Sequence, residues 1–378
     1  MNPENNSPNA PADLSRKDFL RAAGLTALAG ALPAAPTLAA PTLAAPTLAA
    51  APADPPTLPV AILVRGGLPP ESVAAIAALG PQTARLIVAA DDAAWRSALP
   101  NADALFGGFS PDDLRLAKRL RWIQYAAAGV EGVLTPELVA SPIVLTNGKG
   151  CYGPAIAEHV FALLFALTRN VARQARQMRD KKWGGNGGLI EVRGMTMGIL
   201  GFGGIGRETA RRAQALGLHV VACDVQPLRP EQVGGLAETI YPVDGGGLEK
   251  MLTQSDIVVS AVPLTKKSAG MLGPAQFAQM KPGEYLINVS RGKIVQTPAL
   301  VEALRAGKLA GAGLDVTDPE PLPEDSPLWA MDNVVITSHT AGQSQFTQTR
   351  VQAVFVENVR RFALGLPLLN MVDKQAGY

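Results

Sequence analysis

The chain of 378 residues carries 34 basic and 32 acidic residues, with a net charge of +2. This balance argues against a nucleic-acid surface, because phosphate binding needs a concentrated basic face. The length predicts about two domains with their own cores. No Cys/His cluster has metal-ligand spacing, so we expect no metal site. Cys151 and Cys223 are expected to be buried thiols and not a disulfide.

Residues 1–57 predict an export-signal-like leader followed by an alanine- and proline-rich linker. The segment 15–21, Ser-Arg-Lys-Asp-Phe-Leu-Arg, resembles the twin-arginine export signal, although Lys17 stands where the second arginine should be. The apolar run at 22–32 is too short to span a bilayer, and copies of Pro-Thr-Leu-Ala-Ala follow over 36–50. The pattern predicts periplasmic export; the alternative is a disordered tail on a cytoplasmic protein.

Strands and helices alternate after the linker. Strands are predicted at 58–64, 85–90, 101–108 and 120–125, and helices at 71–79 and 111–119. This alternation predicts a first, smaller domain with a parallel sheet. The turn from Tyr125 to Glu131 follows the fourth strand, so its backbone N–H groups could hold an anion. The alternative is a loop of small residues without a ligand.

One long helix is predicted from Pro154 to Asp180, because apolar residues recur there at helical spacing. His159 lies on or beside its apolar face. A histidine so placed is more typical of a packing residue than of a catalyst.

A glycine-rich run, Gly201-Phe-Gly-Gly-Ile-Gly206, lies between a predicted strand and a predicted helix at 207–216. Gly201 suits a tight turn, and Gly203 lets a pyrophosphate approach the helix N-terminus. Gly206 lets the helix pack closely on the strand. The run therefore predicts a dinucleotide-binding loop.

The next predicted strand ends at Asp224. A carboxylate there can accept hydrogen bonds from an adenosine ribose and would repel a 2′-phosphate, so NAD is predicted. Arg229 keeps NADP as the less favoured alternative. Because free NAD is scarce outside the cytoplasm, export of the chain would require tight retention of the cofactor.

Four further buried strands are predicted at 256–262, 284–290, 311–316 and 333–338. With the strands on either side of the glycine-rich helix they make six, as in a complete dinucleotide-binding domain. Ligands in such sheets lie outside the carboxyl ends of the strands. The residues predicted at those ends are Pro263, Arg291, Asp315 and His339.

Three of the side chains near these ends suggest proton transfer and anion binding. His339 is the natural general acid/base. Glu320, in a proline-rich loop, would stabilise the imidazolium if it reaches His339. Arg291 offers a planar fork of donors for a carboxylate. Taken singly, each has an ordinary alternative as a capping histidine, a loop carboxylate or a surface arginine.

The order of these motifs resembles that of the D-isomer-specific 2-hydroxyacid dehydrogenase family, over residues 58–372. The matching segments are 198–206 with Asp224, Val262-Pro-Leu-Thr265, Asn288-Val-Ser-Arg-Gly292, Gly313-Leu-Asp-Val316 with Glu320-Pro-Leu-Pro323, and Ser338-His-Thr-Ala-Gly342. The resemblance implies an α/β fold of two Rossmann-like, doubly wound parallel-sheet domains. The NAD-binding domain (154–342) would be inserted into a smaller flavodoxin-like substrate domain (58–153 and 343–378).

The resemblance also implies residue roles. Arg291 would bind substrate, and Glu320 would pair with the proton-transferring His339. The turn of Ala128, Gly129 and Val130 would hold the substrate carboxylate. The implied cofactor-binding positions are Gly201, Gly203, Gly204, Ile205, Gly206, Asp224, Pro263, Val289, Ser290, Arg291, Asp315 (at the nicotinamide end), His339 and Gly342. A homodimer would form through residues around 158–188.

One departure from the family pattern is Gly204, where many members carry a larger and often basic residue. The function implied is hydride transfer between NAD(H) and C2 of a small D-2-hydroxy acid or 2-keto acid of glyoxylate or hydroxypyruvate type. The alternative is a non-catalytic NAD(H)-sensing interaction module, like the corepressor relatives of the family. We find no positive feature for formate or phosphite oxidation, and no tyrosine has a lysine four residues on, as a short-chain reductase requires.

Overall fold

The structure, a computed structural model, describes residues 59–184, 188–226 and 228–378. The predicted leader, Leu58 and the centre of the glycine-rich segment at 183–188 lie outside the described residues. The described residues all belong to one compact unit, which contains two parallel sheets.

The first sheet contains five parallel strands. These are β1 (Val60–Arg65), β2 (Ala84–Ala89), β3 (Ala104–Phe106), β4 (Trp122–Gln124) and β5 (Val144–Thr146). Their order is β2-β1-β3-β4-β5, the arrangement of flavodoxin-like sheets. Four of these strands were predicted. β5 was missed because three residues between a proline and a glycine are too few to show a strand period, although its Leu145 is buried.

The second sheet contains seven parallel strands. These are β6 (Thr196–Leu200), β7 (His219–Asp224), β8 (Thr239–Pro242), β9 (Ile257–Ser260), β10 (Glu284–Asn288), β11 (Leu309–Leu314) and β12 (Val334–Ile336). Their order is β12-β11-β10-β9-β6-β7-β8. The first six strands thus follow the 3-2-1-4-5-6 order of dinucleotide-binding folds, and β12 is added at one edge.

The prediction of six strands in this sheet was therefore wrong by one. The missed strand, β8, lies at the opposite edge and pairs only with β7 among the described strands. None of its four residues is buried. An edge strand of this kind has neither the continuous apolar run of a central parallel strand nor a clear alternation.

Helices cover both sheets. They are α1 (Pro70–Ala77), α2 (Asp92–Ala98), α3 (Pro111–Leu116), α4 (Pro136–Ala140), α5 (Gly153–Thr168), α6 (Val171–Arg179), α7 (Gly204–Ala215), α8 (Leu248–Gln254), α9 (Pro274–Gln279), α10 (Thr297–Arg305) and α11 (Thr347–Ala363). The predicted start of α3 at Pro111 has a local cause, because Ser110 and Asp113 form a capping box around it.

The single long helix predicted over 154–180 is wrong, because the chain forms α5 and α6 with a bend of 66° between them. The break is at Asn170, whose left-handed φ of 53° cannot continue a right-handed helix. The two helices also differ in burial. α5 packs its apolar face on the core of the second sheet, whereas α6 has no buried residue.

In the described part of the chain, no single helix is long and apolar enough to cross a membrane. Among the described helices, only α5 and α6 together have the length and apolar composition of a membrane span, and a bend of 66° separates them. Nine residues of α5 are buried, so its apolar composition is used inside the protein.

The last helix, α11, returns to the first sheet. Phe355 stacks on Phe106 with ring centroids 4.1 Å apart. Asn358 donates a hydrogen bond of 2.9 Å to the buried side chain of Gln124 in β4. The second sheet is therefore inserted, along the chain, between the strands of the first sheet and the helix that completes it, as the resemblance implied.

Both cysteines are free and buried, as predicted. Burial raises the pKa of the Cys151 thiol to about 11 and that of Cys223 to about 12. These thiols are therefore protonated at neutral pH, and neither has the thiolate character of a nucleophile.

Candidate active site

The glycine-rich loop connects β6 to α7 at the carboxyl edge of the second sheet. Gly201 has a φ of +92°, which only glycine adopts readily. A Cβ atom on Gly206 would lie 2.2 Å from the carbonyl oxygen of Gly201, so the helix can approach the strand only without a side chain there. At Gly203 no atom lies within 4 Å of such a Cβ, which leaves open space at the N-terminus of α7. The loop thus fits a pyrophosphate held by backbone N–H groups.

Gly204 and Ile205 begin the helix behind this loop. Ile205 packs against the core of the second sheet. A Cβ on Gly204 would lie 3.3 Å from the Cα atom of Gly150, in the loop before α5. The loop before α5 therefore comes close to this position, and a side chain at 204 would make a tight contact with it.

Asp224 ends β7 beside the glycine-rich loop. One carboxylate oxygen accepts a hydrogen bond of 2.6 Å from the backbone N–H of Phe202, and the other accepts one of 2.8 Å from Gln226. The side chain therefore holds the loop in shape at the strand end where the ribose is predicted to bind.

His339 and Glu320 come together after the last two strands. The Nδ1 atom of His339 lies 2.6 Å from Oε1 of Glu320. A carboxylate in this position favours the tautomer with the proton on Nδ1, which leaves Nε2 for a substrate. The side chains are 46% and 40% exposed, so the pair is open to a ligand.

Asp315 is buried and organises the backbone around His339. Its carboxylate accepts hydrogen bonds from the N–H groups of Thr340 and Ala341, both at 3.0 Å, and from the hydroxyl of Thr337 at 2.6 Å. Its carbonyl accepts the N–H of His339 at 2.8 Å. These bonds hold His339 at a φ of 54°, a conformation that is uncommon outside glycine.

His159, on α5, supports the same network. Its Nε2 atom lies 2.8 Å from the hydroxyl of Thr337, which in turn donates to Asp315. The residue is thus satisfied by a polar partner and not only by apolar packing. Thr337 had no role in the prediction, although its position two residues before His339 at a strand end was a usable signal.

Arg291 follows β10 and lies against the turn that follows β4. Its Nε donates to Oε1 of Glu131, and its Nη1 donates to the carbonyl oxygen of Ser290 at 2.7 Å. A Cβ on Gly129 would lie 1.8 Å from Nη2 of Arg291. The structure therefore brings together the arginine and the turn that were predicted to bind one carboxylate.

The turn itself is held by the first sheet. The carbonyl oxygen of Ala128 accepts a hydrogen bond of 2.6 Å from Asn147, at the end of β5. Val130 is 1% exposed and belongs to the core of the first sheet, so its side chain anchors the turn. Glu131 was noted only as the end of this turn, and its pairing with Arg291 was missed.

The other implied cofactor positions follow strand ends. Pro263 comes after β9, Val289 and Ser290 after β10, and Gly342 after β12. Val289 and Ser290 are both buried, and the N–H of Ser290 donates to Oδ1 of Asn288 at 3.2 Å, so these two residues shape the strand end behind the site. A Cβ on Gly342 would lie 3.0 Å from the ring of Tyr152, so a side chain there would press on the residue that precedes α5.

Comparison with known proteins agrees with this geometry. Residues 161–341 match the model of the D-isomer specific 2-hydroxyacid dehydrogenase, NAD binding domain. D-3-phosphoglycerate dehydrogenase of Archaeoglobus fulgidus is 37% identical over 69% of this chain. The match spans 48% of that relative, which is about half its length.

Glyoxylate reductase of Korarchaeum cryptofilum is 36% identical over 68% of this chain and 78% of its own length. Among solved structures, the NADPH-dependent glyoxylate/hydroxypyruvate reductase of Sinorhizobium meliloti in complex with NADP and sulfate is 28% identical, with a TM-score of 0.70. That likeness covers 84% of this chain and all of the other. The chain belongs to the D-isomer-specific 2-hydroxyacid dehydrogenase family.

Proposed function

We propose that this protein is an NAD-dependent dehydrogenase that interconverts a small 2-keto acid and its D-2-hydroxy acid. The observation that carries the proposal is the pairing of His339 with Glu320 at 2.6 Å, at the carboxyl edge of the second sheet. Arg291, at the same edge, lies against the turn after β4. To reduce a 2-keto acid, the protein must supply a proton donor for the forming hydroxyl and a group that binds the carboxylate.

The chain's own groups bind the acid and move the proton. Arg291 and the backbone of the turn at 128–130 hold the carboxylate of the 2-keto acid. His339 donates a proton from Nε2 to the oxygen that forms on C2, and takes it back in the reverse direction. Glu320 accepts the hydrogen bond from Nδ1 and stabilises the charged ring. The nicotinamide cofactor, when bound, supplies or accepts the hydride.

NAD is the cofactor that the residues favour. The loop at 201–206 and the N-terminus of α7 would hold the pyrophosphate, and Asp224 would accept hydrogen bonds from the ribose. The Sinorhizobium relative is named as NADPH-dependent. In this chain, however, the carboxylate of Asp224 at the end of β7 opposes a 2′-phosphate by like charge, and we expect a preference for NADH.

A small substrate of glyoxylate or hydroxypyruvate type is supported by the names of the Korarchaeum and Sinorhizobium relatives. The test is NADH and NADPH oxidation by the purified chain with glyoxylate, hydroxypyruvate, pyruvate and phenylpyruvate. We expect reduction of at least one acid, with NADH preferred. If none of the four acids is reduced while NADH still binds, the proposed activity is contradicted.

The role of His339 is tested with His339→Gln. We expect kcat to fall at least about 100-fold, because general acid catalysis is lost, while the Kd for NADH stays nearly unchanged. His219→Gln is the matched control. His219 also has a carboxylate partner, Glu238 at 2.7 Å, but lies at the amino end of β7. Wild-type turnover in the His339 variant would remove this residue from the mechanism.

The proposal extends to a homodimer formed through α6 and the segment after it. Helix α6 has no buried residue, although Val171 and Met178 on it are apolar. Met178 is 74% exposed and Trp183 is fully exposed. Several large apolar side chains exposed within one short segment fit a protein interface better than an isolated surface. A second copy of the chain is the partner implied by the family.

Export of the chain is proposed on the sequence of its leader alone. Residues 15–21 resemble a twin-arginine signal, and a folded, NAD-loaded protein could pass by that route. We expect the full chain to appear in the periplasm of a bacterium that has this route, and Arg16→Gln to prevent it. A chain that stays in the cytoplasmic fraction in both forms would overturn the export proposal.

A further inference from the structure

The ion pair between Glu131 and Arg291 joins the carboxyl edges of the two sheets. Glu131 belongs to the turn after β4 of the first sheet, and Arg291 follows β10 of the second. The two residues are 160 positions apart in sequence, yet Oε1 of Glu131 accepts a hydrogen bond from Nε of Arg291. The side chains are 35% and 29% exposed. An ion pair this exposed contributes little to the free energy of unfolding, so its main effect is on the orientation of the arginine side chain.

Glu131 contacts the guanidinium of Arg291 at Nε. A guanidinium has five N–H donors, of which Glu131 accepts the one on Nε and the Ser290 carbonyl accepts one on Nη1. The donors that remain are on Nη1 and Nη2. Nη2 lies beside the Cα atom of Gly129, where a Cβ would collide with it. The two hydrogen bonds therefore fix the plane of the guanidinium and leave one N–H on Nη1 and the two on Nη2, beside Gly129, outside these bonds.

Glu131 is itself held in a defined position. The preceding residue, Val130, is 1% exposed in the core of the first sheet. The carbonyl oxygen of Val130 accepts hydrogen bonds from Val133 at 3.0 Å and Leu134 at 3.2 Å, which close the turn around Glu131. The carboxylate thus projects from a rigid turn toward the opposite sheet.

From this geometry we propose that Glu131 is a positioning residue, which orients Arg291 for the carboxylate of the substrate. The proposal rests on the function proposed above. Because the carboxylate and the arginine come from different sheets, the arginine takes its binding orientation only when the two carboxyl edges are in register. The orientation of the arginine is then coupled to the assembly of the substrate site.

Glu131 is placed to orient the arginine and not to compete with the substrate for it. A competitor would occupy the edge formed by Nη1 and Nη2, which is well suited to a bidentate carboxylate. Glu131 instead accepts from Nε. Removal of its charge should therefore weaken substrate binding, whereas removal of a competitor would strengthen it.

The test compares Glu131→Gln, Glu131→Asp and the wild type by steady-state kinetics and by titration of the NADH-loaded chain with oxamate, a carboxylate that is not reduced. We expect Glu131→Gln to raise both the KM for the 2-keto acid and the Kd for oxamate at least tenfold, with a smaller change in kcat and an unchanged Kd for NADH. Glu131→Asp, which keeps the charge, should recover part of the loss. Glu137→Gln, at an exposed position of α4, is the matched control and should behave as the wild type.

The outcomes separate the two proposals. Unchanged or lower KM and oxamate Kd in Glu131→Gln, beside an active wild type, would overturn the positioning role and leave the proposed function intact. A loss of NADH binding in the same variant would also overturn it, because the defect would then be general. A wild type that neither reduces the acids nor binds oxamate would overturn the proposed function and the positioning role together.

Discussion

At the scale of the residue, the conformation of His339 depends on a buried carboxylate that is not itself part of the proposed proton transfer. Asp315 binds two backbone N–H groups and the hydroxyl of Thr337, and these contacts maintain the left-handed backbone of the histidine. A buried carboxylate is costly unless its oxygens are hydrogen-bonded. The network therefore serves stability and active-site geometry at once.

Thr337→Val removes the hydroxyl that bridges His159 and Asp315 with little change of shape. We expect the free energy of unfolding to fall by about 1–3 kcal/mol, because a hydrogen bond to a buried charged group is lost. Turnover should fall as well, since His339 is held less firmly. Denaturant unfolding and NADH oxidation measure the two effects. Thr337→Ser keeps the hydroxyl and should resemble the wild type; a valine variant that is equally stable would show that the bridge is unimportant.

At the scale of the element, strand β10 begins with a buried carboxyl group that is only partly hydrogen-bonded. Glu284 begins β10 and is 1% exposed. Its Oε2 accepts the N–H of Lys281 at 3.0 Å, but Oε1 has no hydrogen-bond partner among the described residues. Burial raises the pKa of this carboxyl to about 8.

The raised pKa of Glu284 predicts a pH-dependent stability. Between an ordinary pKa of 4.5 and the folded value of about 8, the folded protein keeps this proton and the unfolded chain releases it. The contribution is fully present below pH 4.5 and is lost as pH rises through 8, by up to about 1.4 kcal/mol per pH unit. Glu284→Gln should flatten this dependence in urea unfolding at pH 5, 6.5 and 8. Glu302→Gln, on the exposed side of α10, should not; parallel curves for all three proteins would contradict the assignment.

The short helix α4 is closed by a lysine from the C-terminal segment. The Nζ of Lys374 donates hydrogen bonds to the carbonyl oxygens of Leu138, Ser141 and Ile143, at 2.6–2.9 Å. We expect Lys374→Met to lower the free energy of unfolding by about 1–3 kcal/mol, because these carbonyls lose their donor. Lys250→Met, at an exposed position of α8, is the control for loss of a surface charge. Equal melting temperatures of the two variants would show that the contact does not stabilise the fold.

At the scale of the whole molecule, function depends on two carboxyl edges that meet. His339 and the glycine-rich loop belong to the second sheet, and the turn at 128–130 belongs to the first. α11 packs back on the first sheet through Phe355 and Asn358, although the whole second sheet lies between this helix and the first-sheet strands along the chain. The site thus requires the complete two-sheet arrangement.

The proposed dimer is tested at the same scale. Met178→Glu combined with Trp183→Ser should raise the dimer dissociation constant at least about tenfold, because charge and lost apolar area weaken an interface of this kind. Sedimentation velocity measures the change. Val88→Ser alters an exposed apolar residue on the first sheet and should have no effect. A wild type that remains monomeric at micromolar concentration would rule out the proposed interface.

Much of the fold was predictable because its signals are local. The buried strands of the second sheet appear as continuous apolar runs, and the capping box at Ser110 marks the start of α3. The failures have equally local causes. β5 and β8 are too short or too exposed for a period to show, and the bend at Asn170 depends on one left-handed residue inside a continuous helical pattern.

The sequence by itself determined the nucleotide-binding unit, since Gly201, Gly206 and Asp224 act within one strand, turn, helix and strand. It also placed His339 and Arg291 at strand ends, because parallel strands bring their carboxyl ends to one edge. Only the tertiary structure decided which distant groups hold them. Glu131 meets Arg291 across 160 positions, and His159 meets Thr337 across 178. Such pairs depend on how two sheets and a helix pack against each other, and residue spacing along the chain does not predict that packing.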